Sequence, residues 1–514
     1  MASTSSLDRF LGSSENGNKK EFKKTSSKDF QRCIVLIDLD CFFVSVERMH
    51  DPSLNEKPVG VAQYTDSETL IAISYEAKSL GVKRGMFGFQ AKKICPSIRI
   101  IKVDMKNGKA DLTKYREASK QVLDIASRFC SKIERASVDE FYLDVTDESN
   151  KISTEENLTI KASTWGSDTF VCDKFDSVIP ISESISTLVE ADDIHLYAAS
   201  LIVNRIRKSI KTELTLDCSA GIAGNKFLAK SIAGIRKPAT QIVLPRKNIL
   251  SLCETMPLKK AKSLGGKLGD MLIEKLNVEY LFDIYRNVEE IKLLEIFGEK
   301  EAKRLLELAR GIDLTAVEVR VQAKSLGCSK NFFGKQKLFS RNQISYWLRS
   351  LCSELIERLE ADGREPGTIT VAASGFGSRT NSAFKASSRK LDLEKLMEIV
   401  ENLFDKLIDG DTLKKFGVSS LSLNISNFPE EEIVQRRSVW SCVSCTFEND
   451  SRWLRCEACQ YDKAGLPLTS INLTQPKKLK LGSELEKTWT CSLCSYAEND
   501  VRFLRCEVCL SLKN

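Results

Sequence analysis

Four acidic residues lie at the end of, or inside, apolar runs that predict buried strands. These acids are the main candidates for catalytic or metal-binding residues. Asp38 and Asp40 follow the apolar run 34–37, and Asp139 and Glu140 lie inside a second aromatic and β-branched run. A continuous apolar run predicts a strand that is buried on both faces. Burying a carboxylate there costs several kcal/mol unless a cation compensates the charge. The two runs therefore predict one site where acidic side chains meet a divalent cation.

The oxygen donors of this site suit magnesium. The carboxylates of Asp38, Asp139 and Glu140, with the backbone carbonyl of Leu39, could bind two Mg²⁺ ions. One ion would lower the pKa of an attacking hydroxyl, and the other would bridge the leaving phosphates. Without metal, the first pair of acids would be a capped strand-to-helix turn and the second an exposed hairpin turn. The residues alone leave these alternatives open.

The elements around the acids must direct them to one point. Phe42 and Phe43 open a segment whose apolar positions suit a helix, so Asp40 is predicted to cap that helix and to leave Asp38 free. Asp139 and Glu140 are adjacent, and both reach the site only if the strand bends or bulges there.

Further along the chain, helices carry side chains that could bind phosphate. Tyr75 and Lys78 are three residues apart on one face of a predicted helix, so a hydroxyl and an ammonium could bind the same phosphate. Lys226 and Lys230 lie on a helix after a glycine turn, and Lys237 precedes a proline. A solvated surface side chain is the alternative for each lysine.

Composition narrows the class of protein. The 514 residues are 42% hydrophobic and 29% charged, which predicts about three or four domains. No apolar run reaches the roughly 18 residues of a membrane span, and the first residues lack signal-peptide features, so we expect neither membrane insertion nor secretion. The net charge of +7 is compatible with a polyanionic partner. Because His50 and His195 are the only histidines, we expect chemistry based on carboxylates and lysines.

Two segments late in the chain repeat a cysteine pattern that is typical of zinc sites. Each opens with Trp-x-Cys and has two Cys-x-x-Cys pairs, separated by ten residues in the first segment and eleven in the second. Thiolate quartets at this spacing bind one tetrahedral Zn²⁺ each; unliganded or redox-active thiols are the alternative. The predicted ligands are Cys442, Cys445, Cys456 and Cys459, then Cys491, Cys494, Cys506 and Cys509.

Several motifs together resemble one enzyme family. The motifs at 38–43 (DLDCFF), 74–78 (SYEAK) and 137–140 (SVDE) are similar to signatures of the Y-family translesion DNA polymerases. Further motifs are similar to the eta branch of that family: KYREAS at 114–119, NKFLAK at 225–230, SLGGKLG at 263–269 and GCSKNFFGK at 327–335. The resemblance implies an α+β multidomain fold, the right-hand polymerase with palm, fingers, thumb and little finger.

The resemblance also implies roles for single residues. Asp38, Asp139 and Glu140 would be the catalytic ligands of two Mg²⁺ ions, and Phe43 would exclude a ribose 2′-hydroxyl. The implied nucleotide-binding residues are Leu39, Phe42, Phe43, Gln63, Tyr75, Lys78, Arg84 and Lys237. Gln63 and Arg84 match positions beside the templating and incoming bases, which implies room for a crosslinked pyrimidine pair. The family usually has Arg where this chain has Lys78, so a bidentate contact becomes a point charge.

DNA contacts are implied farther along the chain. The glycine-rich turn at 264–269 resembles a helix-hairpin-helix, in which backbone N–H groups approach a phosphate closely; a plain helix connection is the alternative. The implied DNA-binding residues are Gly265, Gly266, Lys267, Gly269 and Lys330.

The predicted domains follow in a simple order. They are a disordered tail at 1–30, the palm at 31–50 and 96–255 with a surface insertion at 147–193, the fingers at 51–95, the thumb at 256–318, a β-α-β-β-α-β little finger at 319–428, a zinc ribbon at 437–463, a linker at 464–486 and a second zinc ribbon at 487–512.

The expected partners are primer–template DNA, deoxynucleoside triphosphates, and ubiquitin or a ubiquitinated sliding clamp. Thr446 and Phe447 resemble the contact residues of ubiquitin-binding ribbons. Leu7, Phe10 and Leu11 have the spacing of a sliding-clamp-binding peptide, with a few apolar residues in a disordered tail as the alternative. The basic segment 476–480 resembles a nuclear import signal, with a solvated linker as the alternative, and we expect a monomer that is not associated with membranes. The rival hypotheses are a nucleotidyl cyclase with a similar palm and a catalytically inactive scaffold that binds DNA and ubiquitin.

Overall fold

The computed structural model describes most of the chain in two compact units, Met1–Pro429 and Glu430–Asn514. The described residues of the first unit are 32–63, 68–155, 168–181, 193–320, 322–332, 334–375, 379–385 and 391–429. Those of the second unit are 439–441, 448–450, 488–489 and 499–500.

The first unit alternates strands and helices. Its strands are β1 (Ile34–Leu39), β2 (Val59–Ala62), β3 (Leu70–Ile73), β4 (Arg99–Lys102), β5 (Met105–Lys106), β6 (Lys109–Ala110), β7 (Ile133–Arg135), β8 (Glu140–Asp144), β9 (Thr169–Lys174), β10 (Ser177–Pro180), β11 (Cys218–Ala223), β12 (Gln241–Val243), β13 (Ser325–Asn331), β14 (Thr368–Ser374), β15 (Arg379–Lys385) and β16 (Ser420–Ser426). Its helices are α1 (Phe42–His50), α2 (Tyr75–Ser79), α3 (Gly88–Ile94), α4 (Thr113–Ser127), α5 (Thr146–Glu155), α6 (Ile194–Leu214), α7 (Lys226–Ile232), α8 (Ile249–Thr255), α9 (Lys267–Leu276), α10 (Asp283–Asn287), α11 (Glu290–Phe297), α12 (Glu299–Ala309), α13 (Arg341–Asp362), α14 (Leu393–Asp405) and α15 (Gly410–Phe416).

The predicted palm is built on a seven-stranded sheet with the order β10-β9-β12-β11-β1-β8-β7. Val35 and Ile37 of the central strand β1 pack with α1, α4 and α6 on one face. Ile34 and Leu36 pack with α7 and α8 on the other face. The prediction of a strand buried on both faces is therefore confirmed, and β1 is the element against which the rest of the palm is packed.

The prediction that 147–193 is wholly a surface insertion is wrong. β9, at Thr169–Lys174, pairs in parallel with β12 and in antiparallel with β10, so it belongs to the main sheet. Phe170, Val171 and Cys172 are all buried. The strand is short and is flanked by polar segments, so its apolar run was not recognised among the Ser- and Thr-rich residues around it.

The predicted fingers contain the small sheet β3-β2-β4 with α2 and α3 beside it. β4 extends this sheet to Lys102, beyond the predicted boundary at residue 95. The small core of this region consists mainly of buried residues from β2, β3, α2 and α3.

The regions that follow the palm are also layered. The helices α9, α11 and α12 contribute buried residues to the core on the α7 side of the palm sheet. The predicted little finger is a four-stranded sheet with the order β13-β16-β14-β15, packed against α13 and α14. The predicted β-α-β-β-α-β order is confirmed, with the short helix α15 added before the last strand. No helix among the described residues is long and apolar enough to cross a membrane.

The second unit contains two short hairpins. β17 (Val439–Ser441) pairs with β18 (Glu448–Asp450), and β19 (Thr488–Trp489) pairs with β20 (Asn499–Asp500). Trp440 lies opposite Asn449, and Trp489 lies opposite Asn499. This shared pairing agrees with the sequence repeat. The eight predicted zinc ligands, Thr446 and Phe447, and the tail at 1–30 lie outside the described residues.

Candidate active site

Two of the predicted acids face each other on neighbouring strands. β1 and β8 are antiparallel with Asp38 opposite Glu140, and these side chains are 15% and 25% exposed. The chain bends at 137–139, immediately before β8. There the carbonyl of Asp139 accepts a hydrogen bond from the Leu39 N–H at 2.9 Å, and its carboxylate accepts one from the Ser137 hydroxyl at 2.5 Å. The predicted bend is confirmed.

Two lysines neutralise the acids. Lys230 on α7 contacts Glu140 and donates a hydrogen bond to Asp38 at 3.3 Å. Lys237 contacts Asp38 and lies 3.2 Å from Asp40. Burial raises the pKa of Glu140 even with the Lys230 ammonium beside it. Burial lowers the pKa of Lys237, but the two aspartates outweigh that effect and raise its pKa overall, so its ammonium stays charged.

The prediction that Asp40 caps α1 is wrong. Its carboxylate is buried and accepts hydrogen bonds from the Ser219 hydroxyl at 2.7 Å, the Ala239 N–H at 2.8 Å and the Tyr75 hydroxyl at 3.1 Å. The N-cap of α1 is instead Cys41, with a φ of 47° and no side-chain hydrogen bond. The Asp40 carboxylate is bonded to three donors from distant segments and does not cap the helix. Asp40 therefore holds the parts of the site together.

The predicted steric gate is held between rings. The Phe43 ring lies 4.4 Å from the Tyr115 ring and 5.7 Å from the Phe42 ring, centroid to centroid. The Tyr115 hydroxyl donates a hydrogen bond to Glu47, and Lys114 lies 2.9 Å from the same carboxylate. Because Glu47 holds Tyr115, the Tyr115 ring restricts the orientation of the Phe43 ring. The sequence motif around Tyr115 does not reveal this supporting role.

The fingers place one of their four predicted nucleotide contacts against the acids. The hydroxyl of Tyr75, at the first position of α2, donates to Asp40, and Ser74 caps this helix by accepting a hydrogen bond from a backbone N–H. Burial raises the pKa of Tyr75, so its hydroxyl remains protonated. Lys78 and Arg84 are exposed, and Gln63 is half-buried at the end of β2. Among the described residues, no hydrogen bond or ion pair joins these three side chains to the carboxylates of the site.

Lys226 does not join the predicted phosphate-binding lysines. Its side chain is 8% exposed and its ammonium lies 2.7 Å from the carboxylate of Glu134. It also donates to the carbonyl of Ala316 at 3.3 Å. The alternative of a solvated surface side chain is therefore wrong for Lys226, which is buried in an ion pair. Lys230, one helical turn later, is the lysine of α7 that reaches the acids.

The donors present fit a hard divalent cation. Asp38 and Glu140 are paired oxygen donors of the kind that Mg²⁺ prefers, whereas the Asp139 carboxylate is bonded to the Ser137 hydroxyl. The ammonium groups of Lys230 and Lys237 are stand-in cations on the same oxygens. Among the described residues no three Asp, Glu, His or Cys side chains converge as a metal cluster.

The glycine-rich turn precedes α9. A Cβ on Gly269 would lie 1.8 Å from the carbonyl oxygen of Leu264, so this glycine permits a close backbone approach. Gly265, Gly266 and Lys267 are exposed, and a Cβ on Gly266 would meet open space. Their backbone N–H groups therefore lie at the surface, where a phosphate could approach.

Lys330, a predicted DNA contact, has partners within the protein, and its contact with DNA stays a prediction. Along β13 the even-numbered Leu326 and Cys328 point into the core, and Lys330 shares their face. Its ammonium donates to the carbonyl of Gly108 at 2.8 Å and lies 5.0 Å from the centre of the Trp347 ring. The alternation of side chains along the strand places Lys330 on the helix-covered face of the sheet.

A cleft of about 480 Å³ separates the fingers and palm from the sheet of the predicted little finger. Gln63, Lys109 and Arg116 line it on one side, and Ser329 and Asn424 on the other. The lining is mixed polar and apolar, with the cationic Lys109 and Arg116 on one wall and Glu354 paired with Lys109.

Comparison with known proteins agrees with this architecture. Residues 37–234 match the impB/mucB/samB family, and residues 323–437 match the C-terminal domain of the same family. Residues 256–312 match the helix-hairpin-helix motif of the DNA polymerase eta and Rev1 group. The chain belongs to the Y family of DNA-directed DNA polymerases, the enzymes of translesion synthesis, which use divalent metal ions.

Within that family the chain is eta-like. It is 36% identical over 464 residues to DNA polymerase eta of Arabidopsis thaliana, an alignment that covers 80% of this chain and 68% of the relative. It is 35% identical over 358 residues to DNA polymerase eta of Drosophila melanogaster, covering 65% of this chain and 40% of the relative. DNA polymerase iota of Homo sapiens is 30% identical over 348 residues, covering 68% of this chain and 44% of the relative.

Proposed function

We propose that this polymerase inserts deoxynucleotides opposite UV-type pyrimidine dimers by two-metal nucleotidyl transfer with Mg²⁺. The observation that carries the proposal is the pairing of Asp38 with Glu140 across β1 and β8, with Asp139 beside Leu39. Asp38, Asp139, Glu140 and the Leu39 carbonyl would hold the ions. Bound there, they would supply a lowered pKa for the primer 3′-hydroxyl and neutralise charge on the phosphates.

The remaining steps belong to side chains of this chain. The Lys237 ammonium contacts Asp38, and the Tyr75 hydroxyl donates to Asp40. Both groups could therefore bind the triphosphate of an incoming nucleotide beside these carboxylates. Phe43, fixed by Tyr115, would exclude a ribose 2′-hydroxyl. Holding the two reactants in line and neutralising their charge supplies most of the rate enhancement in such a reaction.

Tolerance of a dimer is supported by the space at the template side. Gln63 lines a cleft of about 480 Å³, which leaves room beside the templating position for a second, crosslinked base. Arg84, the other residue that the resemblance places beside the bases, is also on the fingers and is exposed.

The test is primer extension with Mg²⁺ on a template that carries a thymine–thymine cyclobutane dimer. Wild type should copy past the dimer, and Asp139→Asn/Glu140→Gln should not extend any primer. The matched control is Asp147→Asn/Glu148→Gln, a second adjacent acid pair, which lies on α5 with Asp147 paired to Lys132. This control should extend normally. Extension of plain template that halts at the dimer would remove the bypass proposal and keep the carboxylate site.

Structural zinc and ubiquitin binding are proposed for the second unit. Two Zn²⁺ per chain are expected by elemental analysis, and Cys456→Ser and Cys506→Ser should each remove one. Phe447→Ala should abolish capture of the ubiquitinated sliding clamp. Tyr496→Ala changes the corresponding residue of the other ribbon and serves as the matched comparison. Unchanged capture after replacement of both Thr446 and Phe447 would refute the ubiquitin contact.

Nuclear import through 476–480 is also proposed. It is tested by replacing the lysines of this segment in a fluorescent fusion.

A further inference from the structure

The fingers carry large apolar side chains that face solvent. Phe87 and Phe89 are 42% and 60% exposed. Their rings are stacked, with centroids 5.9 Å apart and an interplanar angle of 9°. Leu80 and Ile94 nearby are also exposed. Contiguous exposed apolar side chains mark a binding surface, and the polymerase chemistry described above makes no use of this pair.

The charge around the ring pair favours a polyanion. The segment 80–95 contains Lys83, Arg84, Lys92 and Lys93 and no acidic residue, and all four basic side chains are exposed. The Lys93 ammonium lies 6.0 Å from the centroid of the Phe89 ring.

The acid beside this segment is already paired. Glu68 lies against Gly88 and is paired with Lys102 at 3.0 Å and with Lys92 at 4.0 Å. Its charge is therefore compensated, and the surface around the rings remains cationic. Exposed aromatic rings among basic groups are the combination that binds single-stranded nucleic acid, since bases stack on rings while cations attract the backbone.

Backbone hydrogen bonds fix the ring pair near the template side of the site. The Leu70 N–H donates to the Met86 carbonyl at 2.9 Å, and the Gly85 N–H donates to the Leu70 carbonyl at 2.8 Å. The Gln63 N–H donates to the carbonyl of Thr69 at 3.4 Å. Gln63 and the residue before Phe87 are thus both tied to the start of β3. The residue that lines the cleft and the segment that carries the rings are therefore held at the same end of β3.

We propose that Phe87 and Phe89 form a stacking platform for the unpaired template nucleotides on the 5′ side of the templating base. This inference rests on the proposed function, because it requires the templating base to lie beside Gln63. Lys83 and Lys93 contact the phosphates of the same nucleotides, and binding is independent of sequence because every base has a stacking face.

The experiment compares three primer–template duplexes of equal length by fluorescence anisotropy: one with a six-nucleotide 5′ template overhang, one with an abasic overhang and one that is blunt. Wild type should bind the normal overhang about tenfold more tightly than the abasic one, the effect expected for one stacked base. Phe87→Leu/Phe89→Leu should bind both overhangs alike, because leucine keeps an apolar surface but removes the rings. Blunt duplex should bind equally to wild type and variant.

The matched control is Leu80→Ala/Ile94→Ala, which removes exposed apolar side chains of the same segment and should keep the tenfold preference. Thermal melts of each variant show whether the fingers remain folded. Equal loss of affinity for blunt and overhang DNA, or a wild type that does not distinguish the abasic overhang, would overturn the platform. Both outcomes are read from binding without catalysis, so a failure here is distinct from a failure of dimer bypass.

Discussion

Lys226 and Glu134 form a buried ion pair that fastens the segment after the thumb to the palm sheet. The two side chains are 8% and 9% exposed, and the ammonium lies 2.7 Å from the carboxylate. Glu134 also accepts a hydrogen bond from the Glu318 N–H at 2.8 Å and lies 3.7 Å from Arg320. Arg320 in turn pairs with β7 as an isolated parallel bridge. The pair therefore joins the segment 316–320, which precedes the little finger, to the palm sheet.

Lys226→Met should lower the free energy of unfolding by about 3 kcal/mol. Removing one partner of a buried pair costs about 3–5 kcal/mol, because the other charge is left uncompensated. The lower end applies, since Arg320 and the Glu318 N–H still face the carboxylate and methionine still packs against the Tyr142 ring that Lys226 covers. Adding Glu134→Gln removes the stranded charge, so the double variant should be more stable than Lys226→Met alone.

Urea unfolding followed by circular dichroism measures these differences. A multidomain unit need not unfold in one step, so the free energies are compared only between variants whose free energy of unfolding depends on urea concentration with the same slope. The control is Lys211→Met. Lys211 pairs with Asp217 at 2.8 Å, but these side chains are 55% and 43% exposed, and exposed pairs contribute below about 1 kcal/mol. If Lys226→Met costs no more than Lys211→Met, the argument from burial is refuted.

Three further changes probe the site and its borders. Asp40→Asn should keep the fold and slow primer extension by about tenfold or more, because hydrogen bonds to a charged group are worth about 1.5–3 kcal/mol; a normal single-turnover rate would contradict its positioning role. Phe43→Ala should raise ribonucleotide insertion relative to deoxynucleotide insertion by at least about tenfold, measured by paired steady-state assays, and an unchanged ratio would exclude the steric gate. Glu354→Gln should release Lys109, which it holds at 2.7 Å, and steepen the salt dependence of DNA binding by about one unit of log–log slope. Glu357→Gln, which loses a more exposed pair with Lys106, should change that slope less.

Local periodicity was enough to predict much of the fold. The apolar run of β1 predicted a strand buried on both faces, as observed. The strand and helix order of the little finger followed from the periods of strands and helices. These elements were predictable because each buries a face that its own residues define.

The errors arose where distant residues decide the outcome. Asp40 is a good helix cap by local rules, but its carboxylate is satisfied by residues 35, 179 and 199 positions away in the chain. The face of β13 that carries Lys330 depends on which face the partner helices cover, and the local sequence does not reveal that. Lys226 and Lys230 are four residues apart on one helix, and only the fold separates a buried ion pair from an active-site contact.

The position of Asp40 links the chemistry of the palm to the fingers. It accepts hydrogen bonds from Ser219 and Ala239 in the palm and from Tyr75 at the start of α2 in the fingers, while Lys237 bridges it to Asp38. A nucleotide that displaces Tyr75 and Lys237 from the aspartates must therefore break contacts to both domains at once. The buried carboxylate of Asp40 stays behind with its palm donors. Under the proposed function, a nucleotide that draws Lys237 away would leave Asp38 paired with Lys230, so nucleotide binding and the release of Asp38 would be coupled through Lys237.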